Sequence, residues 1–235
     1  MAELIGRQIQ RILKDGQRRF RLDIPAFELR PGDRKVIFGR TGSGKTTAMD
    51  ILALACHPDT AARFELRMGG RSTDLARGRR DHAPLRAKLF GYVLQSSPLF
   101  PFLTFEENAS LGQRLAGRRD SGVIADLCQR LGLDAAPRTR VSDLSIGQRQ
   151  RLAVVRAIAH RPSFILCDEP TASLDPDTAR ILLRTVLDVA DELGAALLII
   201  SHDRDLTRGH DFEYFEVVEW QPGHAMLRPQ ERDAA

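Results

Sequence analysis

Long apolar runs are missing from this chain of 235 residues. The longest, AALLII at 195–200, is far shorter than the roughly 20 residues a membrane-spanning helix needs. The N-terminus, MAELIGRQIQR, has no apolar h-region, so no secretory signal is expected and the chain is expected in the cytoplasm. Cysteine is scarce: Cys56, Cys128 and Cys167 are scattered, with no C-x-x-C. That spacing excludes a disulfide framework and a zinc site and predicts reduced, mostly buried thiols. Lysine is scarcer than the basic balance suggests. Lys14, Lys35, Lys45 and Lys88 are the whole set, and arginine supplies the rest of a net charge of +4. A basic balance suits nucleic acid or an anionic surface, but it equally describes a solvated, arginine-rich surface. The segment RMGGRSTDLARGRRDHAPLRAK has no interleaved aromatics for base stacking, so no nucleic-acid partner is expected.

What remains is the composition of a soluble globular protein, 43% hydrophobic and 28% charged. Repeats and low-complexity blocks are absent. Residues 17–38 alternate like strands, with RPGD as a turn between two of them. KVIF at 35–38 is a short apolar strand, and TAMDILALA resumes as a helix. Residues 57–87 are polar and predict mostly loop. KLFGYVL reads as a strand. From about 96 to 145 the pattern turns helical, broken at Pro98, Pro101, Gly117, Gly122, Gly132 and Pro137. SFILCD and AALLIIS are buried strands. Between them Asp175 is an N-cap, Pro176 opens a helix and Gly194 ends it. Buried strands alternating with helices predict an α/β fold with a mainly parallel sheet. The spacing gives one domain over 1–235. Its core covers about 1–95 and 163–220, an inserted helical lobe about 96–160, and a loosely ordered polar tail about 221–235.

GRTGSGKT, Gly39 to Thr46, fits G-x-x-x-x-G-K-[ST] between a strand and a helix, the context that gives the motif its meaning. Gly39, Gly42 and Gly44 let the backbone curl and turn its N–H groups inward, and the following helix adds its positive end. Lys45 supplies charge for β- and γ-phosphates, and the Thr46 hydroxyl can coordinate Mg²⁺. Arg40, Thr41, Ser43 and Thr47 complete the candidate ATP-binding loop. Downstream, FILCD delivers Asp168 to a strand end, where it can hold Mg²⁺ through water, and Glu169 follows as candidate base for the attacking water. Gln95, after GYVL, is able to touch the metal or that water. His202, after LLIIS, is able to reach a γ-phosphate. Alone, each is an ordinary polar residue at a strand end; together, such ends predict convergence.

In this order the motifs resemble the nucleotide-binding subunit of ATP-binding cassette (ABC) proteins over nearly the whole chain. GRTGSGKT is similar to the Walker A loop and Gln95 to the Q-loop glutamine. LSIGQ, 144–148, is similar to the ABC signature, FILCDEP to Walker B with catalytic Glu169, SLD with Asp175 to the D-loop, and His202 to the switch histidine. FGYVLQSSPLFPFLTFEEN further resembles the branch that includes lipoprotein-release, macrolide-export and cell-division ATPases. Two departures stand out. Ile146 occupies a signature position that is usually glycine. The adenine-stacking aromatic is missing near RILKDG, which leaves Phe20 as the candidate.

The resemblance implies a P-loop NTPase core with an N-terminal antiparallel β subdomain and an inserted α-helical subdomain. It implies ATP and Mg²⁺ as ligands, and hydrolysis to ADP and phosphate. Two cassettes would face head to tail, so that Ser145, Gly147, Gln148 and Asp175 reach an ATP held by the other chain. Ser145 and Gln148 also stand in the S-x-x-Q relation of a capping box, and a capped helix start is an anion site as well. The implied partners are a second ABC subunit, as a homodimer or a related heterodimer, and an integral membrane permease docked on SSPLFPFLTF. The chain would then sit at the cytoplasmic face of the inner or plasma membrane, peripherally, through that permease. Two alternatives use the same machinery: a mechanical regulator of a membrane partner that moves no solute, and a soluble ABC ATPase acting on nucleic acid.

Overall fold

The computed structural model describes residues 1–16, 18–76, 81–96, 98–134, 136 and 138–230. In chain order its elements are β1 (Ala2–Asp15), β2 (Arg18–Leu29), β3 (Arg34–Phe38), α1 (Lys45–Leu52), β4 (Arg63–Met68), β5 (Arg71–Asp74), α2 (Ala83–Leu89) and β6 (Phe90–Val93). Then follow α3 (Phe105–Leu115), α4 (Ser121–Arg130), a 3-10 turn at Val141–Asp143, α5 (Ile146–Ile158) and β7 (Phe164–Asp168). The chain closes with α6 (Pro176–Leu193), β8 (Ala196–Ile200), α7 (Arg204–Thr207), β9 (Glu213–Gln221) and β10 (His224–Pro229). Contacts divide these into two compact units, 1–83 with 196–235, and 84–195.

The first unit carries eight strands in the order β5-β4-β1-β2-β10-β9-β3-β8. Strands β1 and β2 form a long antiparallel hairpin in register from Leu4↔Leu29 to Asp15↔Arg18, and β4 and β5 continue the antiparallel pairing. This is the expected N-terminal β subdomain. Strands β9, β3 and β8 run parallel. β3 is buried from Lys35 to Phe38 because Val36, Ile37 and Phe38 are apolar on both faces, as a central parallel strand requires, while Lys35 pairs with Glu213. Helix α1 buries Ala48, Met49, Ile51 and Leu52.

The second unit pairs β6 with β7 in parallel and packs α3 and α4 against α5. Its helices start where the sequence places caps. Thr104 and Ser145 each form a complete capping box, and Asp120 and Asp175 each accept a hydrogen bond from the third helical N–H. Gly194, at φ 57°, stops α6.

Three expectations fail, the first at KLFGYVL, expected to be a strand, where Lys88 and Leu89 end α2 and only Phe90–Val93 form β6. Residues 57–87, expected to be mostly loop, contain β4, β5 and the start of α2. β4 buries only Phe64 and Leu66, and every residue of β5 is exposed, so no apolar run marks either. The tail from 221, expected to be loosely ordered, continues as β10, which inserts between β9 and β2 by burying Ala225 and Leu227. The expected break at Pro137, residues 77–80 of the polar segment, Ser97 of the apolar stretch and 231–235 of the tail lie outside the described residues. Cys167 is buried and Cys56 and Cys128 are half-buried. Burial pushes the Cys167 thiol up to about 12 and Cys56 to about 11, so neither offers a reactive thiolate. Among the described residues no helix is long and apolar enough to cross a membrane.

Candidate functional site

In the first unit β3 runs straight into the glycine-rich loop. Gly39 adopts φ 151° and Gly44 φ 102°, both in the region that side chains rarely enter. Space is as limiting as torsion. A Cβ on Gly39 would lie 2.9 Å from both Ser43 Oγ and the Val217 carbonyl oxygen, and a Cβ on Gly44 would lie 3.0 Å from the Phe20 ring. Phe20, the aromatic singled out in the sequence, is therefore packed against the loop. Lys45 is buried, and its Nζ donates to the carbonyls of Gly39 at 2.9 Å and Arg40 at 3.0 Å. Ser43 Oγ is buried with no hydrogen-bond partner among the described residues. Arg40, Thr41, Gly42 and Thr46 face solvent, and Thr47 is half-buried.

This loop fits a phosphate chain. It is a cradle that a Cβ would fill, with an ammonium held inside it and a buried hydroxyl in need of a partner. His202 stands at the same end of this sheet. The parallel register Ile37↔Ile200 leaves Gly39 and His202 each two residues beyond a paired strand position. The imidazole is exposed, on a turn in which Ser201 Oγ accepts from the Asp203 amide at 3.0 Å.

In the second unit β7 is buried from Phe164 to Asp168, and Asp168 is only 1% exposed. Glu169 follows at φ 49°, a left-handed conformation that costs a non-glycine residue about 1 kcal/mol and persists where the surroundings enforce it. The register Val93↔Cys167 sets Gln95 across from Glu169, and Gln95 Nε2 donates to Glu169 Oε2 at 2.9 Å. No group of three or more His, Cys, Asp or Glu side chains suited to a metal occurs among the described residues. Mg²⁺ is commonly held by one or two carboxylates together with substrate phosphates, so a lone carboxylate such as Asp168 at the end of β7 suits it without such a cluster.

Helix α5 opens at the signature. Ser145 Oγ accepts from the Gln148 amide at 3.1 Å, and Gln148 Oε1 accepts from the Ser145 amide at 2.8 Å. Ile146 is 62% exposed, so the bulk that replaces glycine points outward. A Cβ on Gly147 would lie 3.3 Å from Leu174, one residue before Asp175, whose carboxylate accepts from the Thr178 amide at 3.0 Å. The sequence reading missed Gln150. It is buried and donates from Nε2 to the Pro170 carbonyl, tying the signature helix to the segment that carries Glu169. Its only sequence signal is an amide on the apolar face of α5.

A family profile described as "ABC transporter" matches residues 22–172. The chain is 35% identical over 209 residues to an uncharacterised ABC transporter ATP-binding protein of Mycobacterium tuberculosis H37Rv, covering 88% of this chain and 81% of that protein. It is 36% identical over 185 residues to a lipoprotein-releasing system ATP-binding protein, LolD 1, of Rhodospirillum rubrum, covering 77% and 80%. Among solved structures it is similar in fold, at TM-score 0.80 and 24% identity over the full length of both chains, to the dimeric post-hydrolysis state of the ATP-binding cassette MJ0796 bound to ADP and Pi.

Proposed function

The chain belongs to the ABC transporter family as an ATP-binding subunit, and from that premise we propose that it hydrolyses ATP as one of two paired cassettes that drive a separate membrane permease. The observation that carries this reading is the Lys45 ammonium held on the Gly39 and Arg40 carbonyls inside a glycine cradle. On binding, Lys45 exchanges those carbonyls for β- and γ-phosphate oxygens, and Ser43 and the loop amides donate to the same chain of phosphates. Thr46, Gln95 and Asp168 are the residues that would hold Mg²⁺, and the ion would supply charge neutralisation at the phosphates. Glu169 orients and polarises the attacking water, and His202 holds the γ-phosphate side of that arrangement. The Gln95–Glu169 hydrogen bond supports a shared task for those two side chains. Phe20 carries the adenine.

The capped start of α5 supports the paired state. Its first N–H groups are an anion site that no phosphate of its own chain need fill, so Ser145, Gly147 and Gln148, with Asp175, complete the partner cassette's site. The dimeric cassettes of like fold favour the same assembly. The permease docks over the apolar stretch after Gln95, where Phe102 is 78% and Phe100 42% exposed. A nucleic-acid role is disfavoured, because the arginine-rich segment that starts at Arg67 carries no interleaved aromatics for base stacking, and Arg67 itself pairs with Glu65.

Lys45→Ala tests the reading. Loss of a charge-assisted phosphate contact weakens ATP binding by about tenfold or more in equilibrium dialysis. Unchanged ATP affinity removes the role given to Lys45.

A further inference from the structure

The loop that precedes α3 is pinned rather than free. Asn108, fully buried on α3, accepts from the Phe100 amide at 3.0 Å through Oδ1. Its Nδ2 donates to the carbonyls of Phe100 at 3.1 Å, Leu103 at 3.2 Å and Thr104 at 3.0 Å. One side chain thus fixes both ends of the 100–104 turn. The turn holds Phe100 and Phe102 as a tilted pair with ring centroids 5.6 Å apart, in spite of their exposure. Exposed aromatic rings held rigid in advance are the usual centre of a binding hot spot.

Beneath the pair lies a cation. The Arg156 guanidinium of α5 sits 5.7 Å from the Phe100 ring centroid, and its Nη1 is buried without a hydrogen-bond partner among the described residues. Burial holds its pKa below the usual arginine value. The polar neighbour just beyond the end of α5, His160, supplies no counter-charge. It is buried, and burial holds its imidazole in the neutral form. The Glu107 carboxylate, on α3, accepts from the Thr104 amide at 2.8 Å as part of that helix's capping box. A ring face offsets only part of a desolvated guanidinium charge.

We propose that Arg156 is the charge anchor of the docking surface, and that the docked segment presents one carboxylate to Arg156 while its apolar side chains cover Phe100 and Phe102. This rests on the reading of 98–104 as the permease-docking stretch and specifies the chemistry of the occupant: an apolar segment with an aspartate or glutamate. Asn108 is the positioning residue that holds the aromatic pair over the arginine.

Two short amphipathic helical peptides, identical except for one central residue, glutamate or glutamine, are titrated against the full chain. The glutamate peptide should bind about tenfold more tightly, the ratio for a charge-assisted hydrogen bond. In Arg156→Gln the two affinities should become equal, in Arg156→Lys the preference should survive in part, and ATP binding should be unchanged in both. Equal affinities in the wild-type chain, with both lost in Phe100→Asp, overturn the carboxylate and leave the docking surface standing. Binding that Phe100→Asp does not weaken, or no binding of either peptide, overturns the surface itself. A glutamate preference that persists in Arg156→Gln assigns the charge to another residue and overturns the anchor.

Discussion

At the scale of single residues, the chemistry is written as short contiguous strings, and that is why it is legible. Gly39 to Thr46 is a motif of eight consecutive residues between a strand and a helix, so spacing alone identifies it. Glu169 and Gln95 are legible for a related reason, since each follows a strand that its own sequence defines. Gln150 and Asn108 are not, because a buried amide reveals its purpose only through partners distant in sequence or folded back over it. The same holds for His160. Burial holds its imidazole at about 4, below the ordinary 6.5, while the unfolded chain takes up a proton near the ordinary value. A neutral His160 therefore contributes fully above about pH 6.5, and its contribution drains away as the pH falls from there to about 4. The loss is on the order of 3 kcal/mol. Denaturant unfolding of the wild type and His160→Gln between pH 7 and pH 4.5 checks this: the wild-type slope should be steeper. Parallel slopes would remove His160 from the acid sensitivity.

At the scale of elements, the apolar strands and capped helices follow from the sequence, and the half-exposed strands do not. β3, β7 and β8 are almost wholly buried, so their composition announces them. β5 and β10 owe their place to neighbours, and nothing in RSTD or HAMLRP states it. Helix contact is set just as narrowly. A Cβ on Gly112 of α3 would lie 2.2 Å from the Arg156 carbonyl, a backbone atom of α5 that cannot swing aside. Gly112→Ala should therefore destabilise the chain by about 2 kcal/mol, although alanine favours helix. A thermal melt reads the sign, and an unchanged or raised midpoint would mean that α3 and α5 separate at little cost.

At the scale of the whole molecule, the account is of an incomplete engine. The phosphate loop is built and the signature helix is capped, and the family reading assigns them to different nucleotides. That division was legible only through the resemblance, because no residue pattern states that its partner lies in another chain. The branch is a finer matter: relatives at similar identity include lipoprotein-releasing and methionine-import ATP-binding proteins, so the cassette alone does not set the cargo. The pairing itself is measurable. Glu169→Gln removes the proposed base and leaves the phosphate cradle intact, so ATP should bind normally while turnover falls by about a hundredfold or more. Light scattering on a size-exclusion column, with that variant in MgATP, tests the central claim most directly. The prediction is a mass twice that of the chain with MgATP and the single-chain mass without nucleotide. A single-chain mass at high protein concentration, with ATP demonstrably bound, would contradict it.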